Sequence, residues 1–94
     1  MLFALTCIDR SDAGSLRPDT RPAHLEFLKT RLGDIRFAGP LLADDGDTVV
    51  GSLLILDVAD KAAAEEFAAN DPYAKAGLFA DVTVRGCKQV IPGL

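Results

Sequence analysis

Cysteine is nearly absent from this chain: Cys7 and Cys87 stand near opposite ends and never in a CxxC spacing. That excludes a zinc knuckle or dithiol redox motif and leaves two reduced thiols as the expectation, in keeping with a cytoplasmic location. Histidine is scarcer still. His24 is the only one, with no second histidine or carboxylate cluster at ligand spacing beside it, so neither a metal nor another cofactor is expected. No apolar run approaches the roughly 18 residues that span a bilayer. The opening segment, Met1 to Ile8, has no basic start and no small-residue cleavage site and is followed at once by charged residues, so it reads as a strand rather than a signal peptide. No membrane partner is therefore expected. Positive charge is also in deficit: 10 Lys and Arg against 14 Asp and Glu leave a formal charge of -4. Nucleic-acid binding draws on clustered cations that displace counterions, and this balance argues against it.

What is present is apolar and patterned. A hydrophobic content of 49% in 94 residues suits one domain, 1–94, with one core. Leu2 to Ile8 is apolar on both parities, with Leu2, Ala4 and Ile8 on one face and Phe3, Leu5 and Cys7 on the other, the mark of a central strand. A polar run from Asp9 to Asp19 reads as a long loop. Thr20 is placed to cap the following helix, with Pro22 in its first turn and Leu25, Leu28 and Leu32 facing the core until Gly33 stops it. Ile35 to Ala38 forms a short strand ended by Gly39-Pro40, and Asp44 to Asp47 forms a turn tip. Gly51 to Val58 is a second strand apolar on both faces. Asp60 caps an alanine-rich helix, Lys61 to Ala69, anchored by Phe67. Asp71-Pro72 then caps a short helical turn closed by Gly77. In the last strand Val82 and Val84 alternate with Asp81, Thr83 and Arg85, and Gly86 suggests a bulge.

The order strand, helix, strand, strand, helix, strand suits an α+β, ferredoxin-like βαββαβ fold, an antiparallel sheet with two helices on one face. Two helices cover one face only, yet both central strands are apolar on two. An uncovered apolar face of that size is rare in monomers, so the expectation is a homodimer packed sheet against sheet.

His24 is the one side chain whose ordinary pKa of about 6.5 suits proton transfer near neutrality. A lone histidine at the edge of an apolar stripe is as a rule a packing residue, so the pattern alone leaves both roles open. Arg21 lies three residues before it on the same helical face. The segments Arg21-Pro22-Ala23-His24-Leu25, Gly39-Pro40-Leu41 and Asn70-Asp71-Pro72-Tyr73, followed by Ala76-Gly77-Leu78-Phe79, stand in an order and spacing that resemble the YciI-like (YCII-related) family of small dimeric α+β proteins. The resemblance covers nearly the whole chain. It implies a dimeric α/β barrel-type assembly with a pocket holding a His-Asp pair, by position His24 and Asp71. One relative is a dehydrochlorinase acting on a chlorinated hydroxyquinol, and distant relatives by fold include muconolactone isomerase.

Such a pair has a clear chemical use, because a carboxylate on one ring nitrogen fixes the tautomer and stabilises the imidazolium left by proton abstraction. The expected function is thus a small-molecule acid-base enzyme of the lyase, isomerase or dehydrochlorinase kind. Arg21, and with it Arg10 or Arg36, is available to hold an anionic or aromatic ligand or stabilise an enolate or phenolate, although a solvated surface role is open for Arg10 and Arg36. Tyr73 either donates a hydrogen bond or packs behind the pair. Alternatives stay open for the pair, which could form across the dimer or join His24 to Asp9 or Asp34 instead of Asp71, and for the function: a non-catalytic ligand-binding or regulatory module in which His24 is only a hydrogen-bond partner or pH sensor, or a cofactor-free oxygenase built on a similar dimer.

Overall fold

In a computed structural model, which describes residues 1–93, the chain folds as β1 (Leu2–Asp9), α1 (Leu16–Lys29), β2 (Ile35–Leu42), β3 (Val49–Asp57), α2 (Lys61–Asn70), α3 (Pro72–Lys75) and β4 (Phe79–Cys87), with a 3-10 turn at Leu32–Asp34. The strands form one antiparallel sheet in the order β2-β3-β1-β4. This is the ferredoxin-like α+β arrangement, and β1 and β3 take the two central places because they are the strands with apolar residues on both faces. Directly paired residues of an antiparallel ladder share a face. Phe3, Leu5 and Cys7 of β1 therefore line up with Leu56, Leu54 and Ser52 of β3 on the side that the helices cover. Phe67 and Ala64 of α2 complete this core, with Phe27 and Leu28 of α1 packed against its margin. Ile55 and Leu53 point to the opposite side, beside Ala4 and Thr6 of β1 and the half-exposed Phe37 of β2.

Four local expectations give way to the backbone. Helix α1 begins at Leu16, not after Thr20, so the loop before it shrinks to a short connection. Pro22 then lies in the helix interior, where it leaves the carbonyl of Pro18 without its usual donor; both prolines are exposed, so water can replace that bond. The helix stops at Lys29 with Thr30 as its C-cap, which puts Gly33 in the 3-10 turn and leaves Leu32 67% exposed rather than in the core. Strand β2 runs through Gly39-Pro40 to Leu42, because it is an edge strand and an edge tolerates the missing amide donor. Gly86 pairs in register with Phe3; the irregularity in β4 falls at its start, where Ile8 faces Asp81 and Asp9 faces Phe79.

Thr20 lies inside α1 and caps nothing, but the other two expected caps form. Asp60 accepts from the amide of Ala63 at 2.9 Å, and Asp71 caps α3 through the amide of Tyr73 at 2.9 Å. Gly77, at φ +76°, turns the chain from α3 into β4 in a conformation that other residues avoid. Gly51 has a different reason to be glycine: a β-carbon there would collide with the backbone carbonyl of Cys7 on the neighbouring strand. A backbone obstacle cannot rotate away as a side chain can. Gly51→Ala is expected to lower stability by about 1–3 kcal/mol, the usual range for overpacking, as read by urea denaturation; an unchanged midpoint would mean that β1 and β3 separate freely at this point.

Candidate active site

The site is assembled from α1, the start of α3 and the ends of β1 and β3. Asp71 ends α2 and caps α3, and its backbone position is fixed by those two helices. His24 sits a little over two turns into α1, not in its first turn, on the side facing α3. The two side chains meet: Nδ1 of His24 lies 2.8 Å from Oδ1 of Asp71, with the residues 8% and 4% exposed. The same Oδ1 accepts the amide of Tyr73. A carboxylate oxygen only accepts, so the proton of this bond rests on Nδ1 and the other ring nitrogen, Nε2, is left with a free lone pair in the neutral ring. Nε2 has no partner among the described residues, and no fully buried side-chain nitrogen or oxygen there lacks one, so this atom opens toward the adjoining cleft. The His24 ring is held flat by stacking on Tyr73, centroids 3.9 Å apart at 19°, while Phe79 meets Tyr73 edge-on.

The cleft, of about 910 Å³, lies between α1 and the β2–β3 half of the sheet. His24, Tyr73, Arg21 and Arg10 all border it, whereas Asp71 stands behind His24. Arg10 is half exposed and loosely paired with Asp12 at 3.5 Å. Arg36 is elsewhere, bonded to Asp57 at 2.7 Å on the surface, and Asp34 pairs with Arg31. Asp9 is committed as well, since its two oxygens accept from Nε and Nη2 of Arg17 at 2.7 and 2.8 Å. Neither Asp9 nor Asp34 is the partner of His24.

Arg17 is the residue that pattern reading missed. Its guanidinium also bonds the hydroxyl of buried Ser52 at 3.0 Å and lies over the Tyr73 ring, 4.6 Å from the centroid. Burial works against its charge, but the hydrogen bonds and charge of Asp9 outweigh that and hold it above the ordinary arginine value. Tyr73 stays a neutral phenol: burial pushes its pKa up, and Arg17 and Arg21 only partly pull it back. Cys7 lies beneath the site and is inert as a nucleophile, its pKa pushed up to about 12 by burial and then by the charge of Asp71. Arg17 was legible in principle, because Arg17, Arg21, His24 and Leu28 recur at four, three and four residues along one helical face. That row appears only once the helix is begun at Leu16.

Comparison with known proteins gives a consistent picture. The model of the YCII-related domain matches residues 1–88. The chain is 33% identical over 97 aligned positions to protein YciI of Escherichia coli O6:H1, covering 96% of this chain and 99% of that protein, and equally so to an uncharacterised protein of Haemophilus influenzae. Among solved structures it is similar to 5-chloro-2-hydroxyhydroquinone dehydrochlorinase (TftG) from Burkholderia phenoliruptrix AC1100, in complex with 2,5-dihydroxybenzoquinone. That likeness has a TM-score of 0.84 at 34% identity and covers 94% of each chain.

Capping and ring orientation make separable demands on Asp71. Asparagine caps a helix about as well as aspartate but carries no charge and offers its amide as well as its carbonyl. Asp71→Asn is expected to leave the melting temperature within a few degrees of wild type while the ¹⁵N resonances of the His24 ring lose their strong preference for a proton on Nδ1. Unchanged ring resonances would leave Asp71 with its capping role alone.

Proposed function

Since this chain belongs to the YCII-related family, we propose that it is a small-molecule acid-base enzyme of the lyase, isomerase or dehydrochlorinase kind, with His24 as general base. The observation that carries this reading is the polarity of the ring: Nδ1 is engaged by a buried carboxylate and Nε2 opens to the cleft. In that orientation Nε2 takes a proton from a substrate lying in the cleft, and Asp71 stabilises the imidazolium that results. The electrons of the broken bond then form a new double bond. In an elimination a leaving group such as chloride departs with its bonding pair; in an isomerisation the proton returns at another carbon. Tyr73, a neutral phenol stacked beside His24, is suited to donate a hydrogen bond to the oxygen on which charge collects, and Arg21 and Arg10 at the rim attract an anionic or aromatic ligand.

The resident chemistry of the structural relative supports the same class, since a dehydrochlorinase removes a proton and a chloride from one substrate. Incubation with chlorinated hydroxyquinols, lactones and enolisable acids, followed by chromatography, tests the proposal. Turnover of at least one compound is expected, falling by about 10²–10⁴-fold in His24→Ala. Compounds that bind without any reaction, or a His24→Ala protein as active as wild type, would move the chain to the binding-module reading.

The assembly belongs to the same proposal. The sheet face carrying Ile55, Leu53, Ala4 and the half-exposed Phe37 is uncovered by any helix, and a second copy of the chain meeting it face to face would remove that apolar surface from water. A homodimer in the cytoplasm is thus the proposed working form. Leu54 faces the core, so Ile55 is the position at which to test it. The wild type is expected to sediment at twice the chain mass and Ile55→Asp at the chain mass with its fold intact. A wild-type monomer at micromolar concentration would refute the sheet-to-sheet contact.

A further inference from the structure

Arg17 is unusual among the basic residues here in being held from three sides. Asp9 grips Nε and Nη2, Ser52 takes the second hydrogen of Nη2, and the Tyr73 ring lies under the guanidinium plane. Its side chain is 15% exposed and that of Asp9 11%. A guanidinium carries five N–H groups, and these contacts use three. The Tyr73 hydroxyl also stands close enough to the guanidinium to act on its charge. The two N–H groups on Nη1 still have no acceptor at full hydrogen-bond geometry among the described residues, and since no fully buried nitrogen there lacks one, Nη1 is reachable from the cleft that Arg17 lines. Ser52 is in a matching position. Its oxygen accepts from Arg17, so its own hydroxyl hydrogen remains to be donated, and the residue borders the same cleft.

Two sets of unspent donors, oriented by a bidentate ion pair rather than by flexible side chains, therefore face the space that Nε2 of His24 also faces. We propose that Arg17 and Ser52 form a fixed donor pair that receives an ionised oxygen of the substrate, and that this pair, more than the exposed Arg10 and Arg21, sets the preference of the cleft for anions. This rests on the acid-base reading of the same cleft and adds to it the substrate class: a compound bearing an ionised oxygen, held at one end by the donor pair while His24 works at the other. The arrangement has a physical logic. Asp9 cancels the net charge of Arg17, so selectivity comes from the direction of the N–H groups, which an ammonium at the same place would not reproduce. A lysine is a point charge on a flexible stem and cannot both clasp Asp9 with two bonds and present two more donors in plane.

The test uses two probes of similar shape, 2,5-dihydroxybenzoquinone, whose vinylogous acid groups ionise at neutral pH, and its uncharged dimethyl ether, each titrated by calorimetry at pH 7.5. Wild type is expected to bind the anion at least about tenfold more tightly than the ether, the scale of one charge-assisted contact. Arg17→Lys is expected to lose about tenfold on the anion and less than about twofold on the ether. Ser52→Ala should lose a smaller amount, again on the anion alone. Circular dichroism melts accompany each variant, and should Arg17→Lys not fold, the selective loss in Ser52→Ala decides. A wild type indifferent to ionisation, one that binds neither probe, or variants that weaken both probes equally would overturn the donor pair, the last by reducing Arg17 to a structural strut. The acid-base reading falls separately, through His24→Ala: full turnover in that variant beside an anion-selective loss in Arg17→Lys would leave the donor pair standing without its proposed base.

Discussion

One carboxylate oxygen holds the site and part of the fold at once. Oδ1 of Asp71 accepts both from the amide of Tyr73, in the first turn of α3, and from Nδ1 of His24, which comes from α1. A carboxylate that is 4% exposed has surrendered most of its hydration, a loss that is tolerable only when charge-assisted bonds replace it. Here the replacements come from two different helices. The consequence is mutual: α3 is capped because Asp71 is there, and the His24 ring has a fixed direction because Asp71 is already immobilised as a cap. Tyr73 closes the arrangement by stacking on the ring whose partner its own amide helps to hold.

The prolines of α1 show how the chain reaches that geometry. With the helix starting at Leu16, Pro18 falls in the first turn, where its missing donor costs nothing, and Pro22 falls in the interior, where it does. The interior position is tolerable because that side of the helix is in water. About a third of a turn round the helix, the row Arg17, Arg21, His24 and Leu28 keeps its helical spacing and reaches from the rim of the cleft to the edge of the core. The helix thus keeps the irregular step at Pro22 in water while the row of Arg17, Arg21 and His24 borders the cleft.

Much of the fold was legible because it depends on patterns that one sequence displays. The two-sided apolar strands named β1 and β3 as central, and the Asp-Pro step marked the short third helix. Boundaries were less legible where a residue has two acceptable roles. Thr20 and Pro22 look like a helix start, and Gly39-Pro40 looks like a strand end, unless one knows that the first lie inside a helix begun at Leu16 and the second on an edge strand. The error at α1 carried over to the site. It hid Arg17, whose partners Asp9 and Ser52 lie 8 and 35 positions away, and such a pairing is set by strand register rather than by local spacing. His24 and Asp71, 47 positions apart, were paired only through the family resemblance; composition and periodicity would not have joined them.

The same register explains why there is a cleft at all. On the helix-covered face, the half of the sheet near β4 carries Phe3, Leu5 and Val84, and α2 fills the space above with Phe67, which is fully buried. Toward β2 the same face carries Ala38 and Pro40 beside Ser52, side chains too small or too polar to meet α1 across the usual helix-to-sheet distance. Large residues therefore build a dry core on one side of β1, and small ones leave an open space on the other. Asp9 and Ser52 stand where the core-facing rows of β1 and β3 reach that open half, so the polar ends of two otherwise apolar rows are delivered to its edge. In water, an unpaired carboxylate at such a boundary would hydrate freely and point anywhere. Clasped by Arg17, it becomes part of a rigid wall, and the cleft acquires on that wall the fixed polarity that His24 supplies on the helix above it.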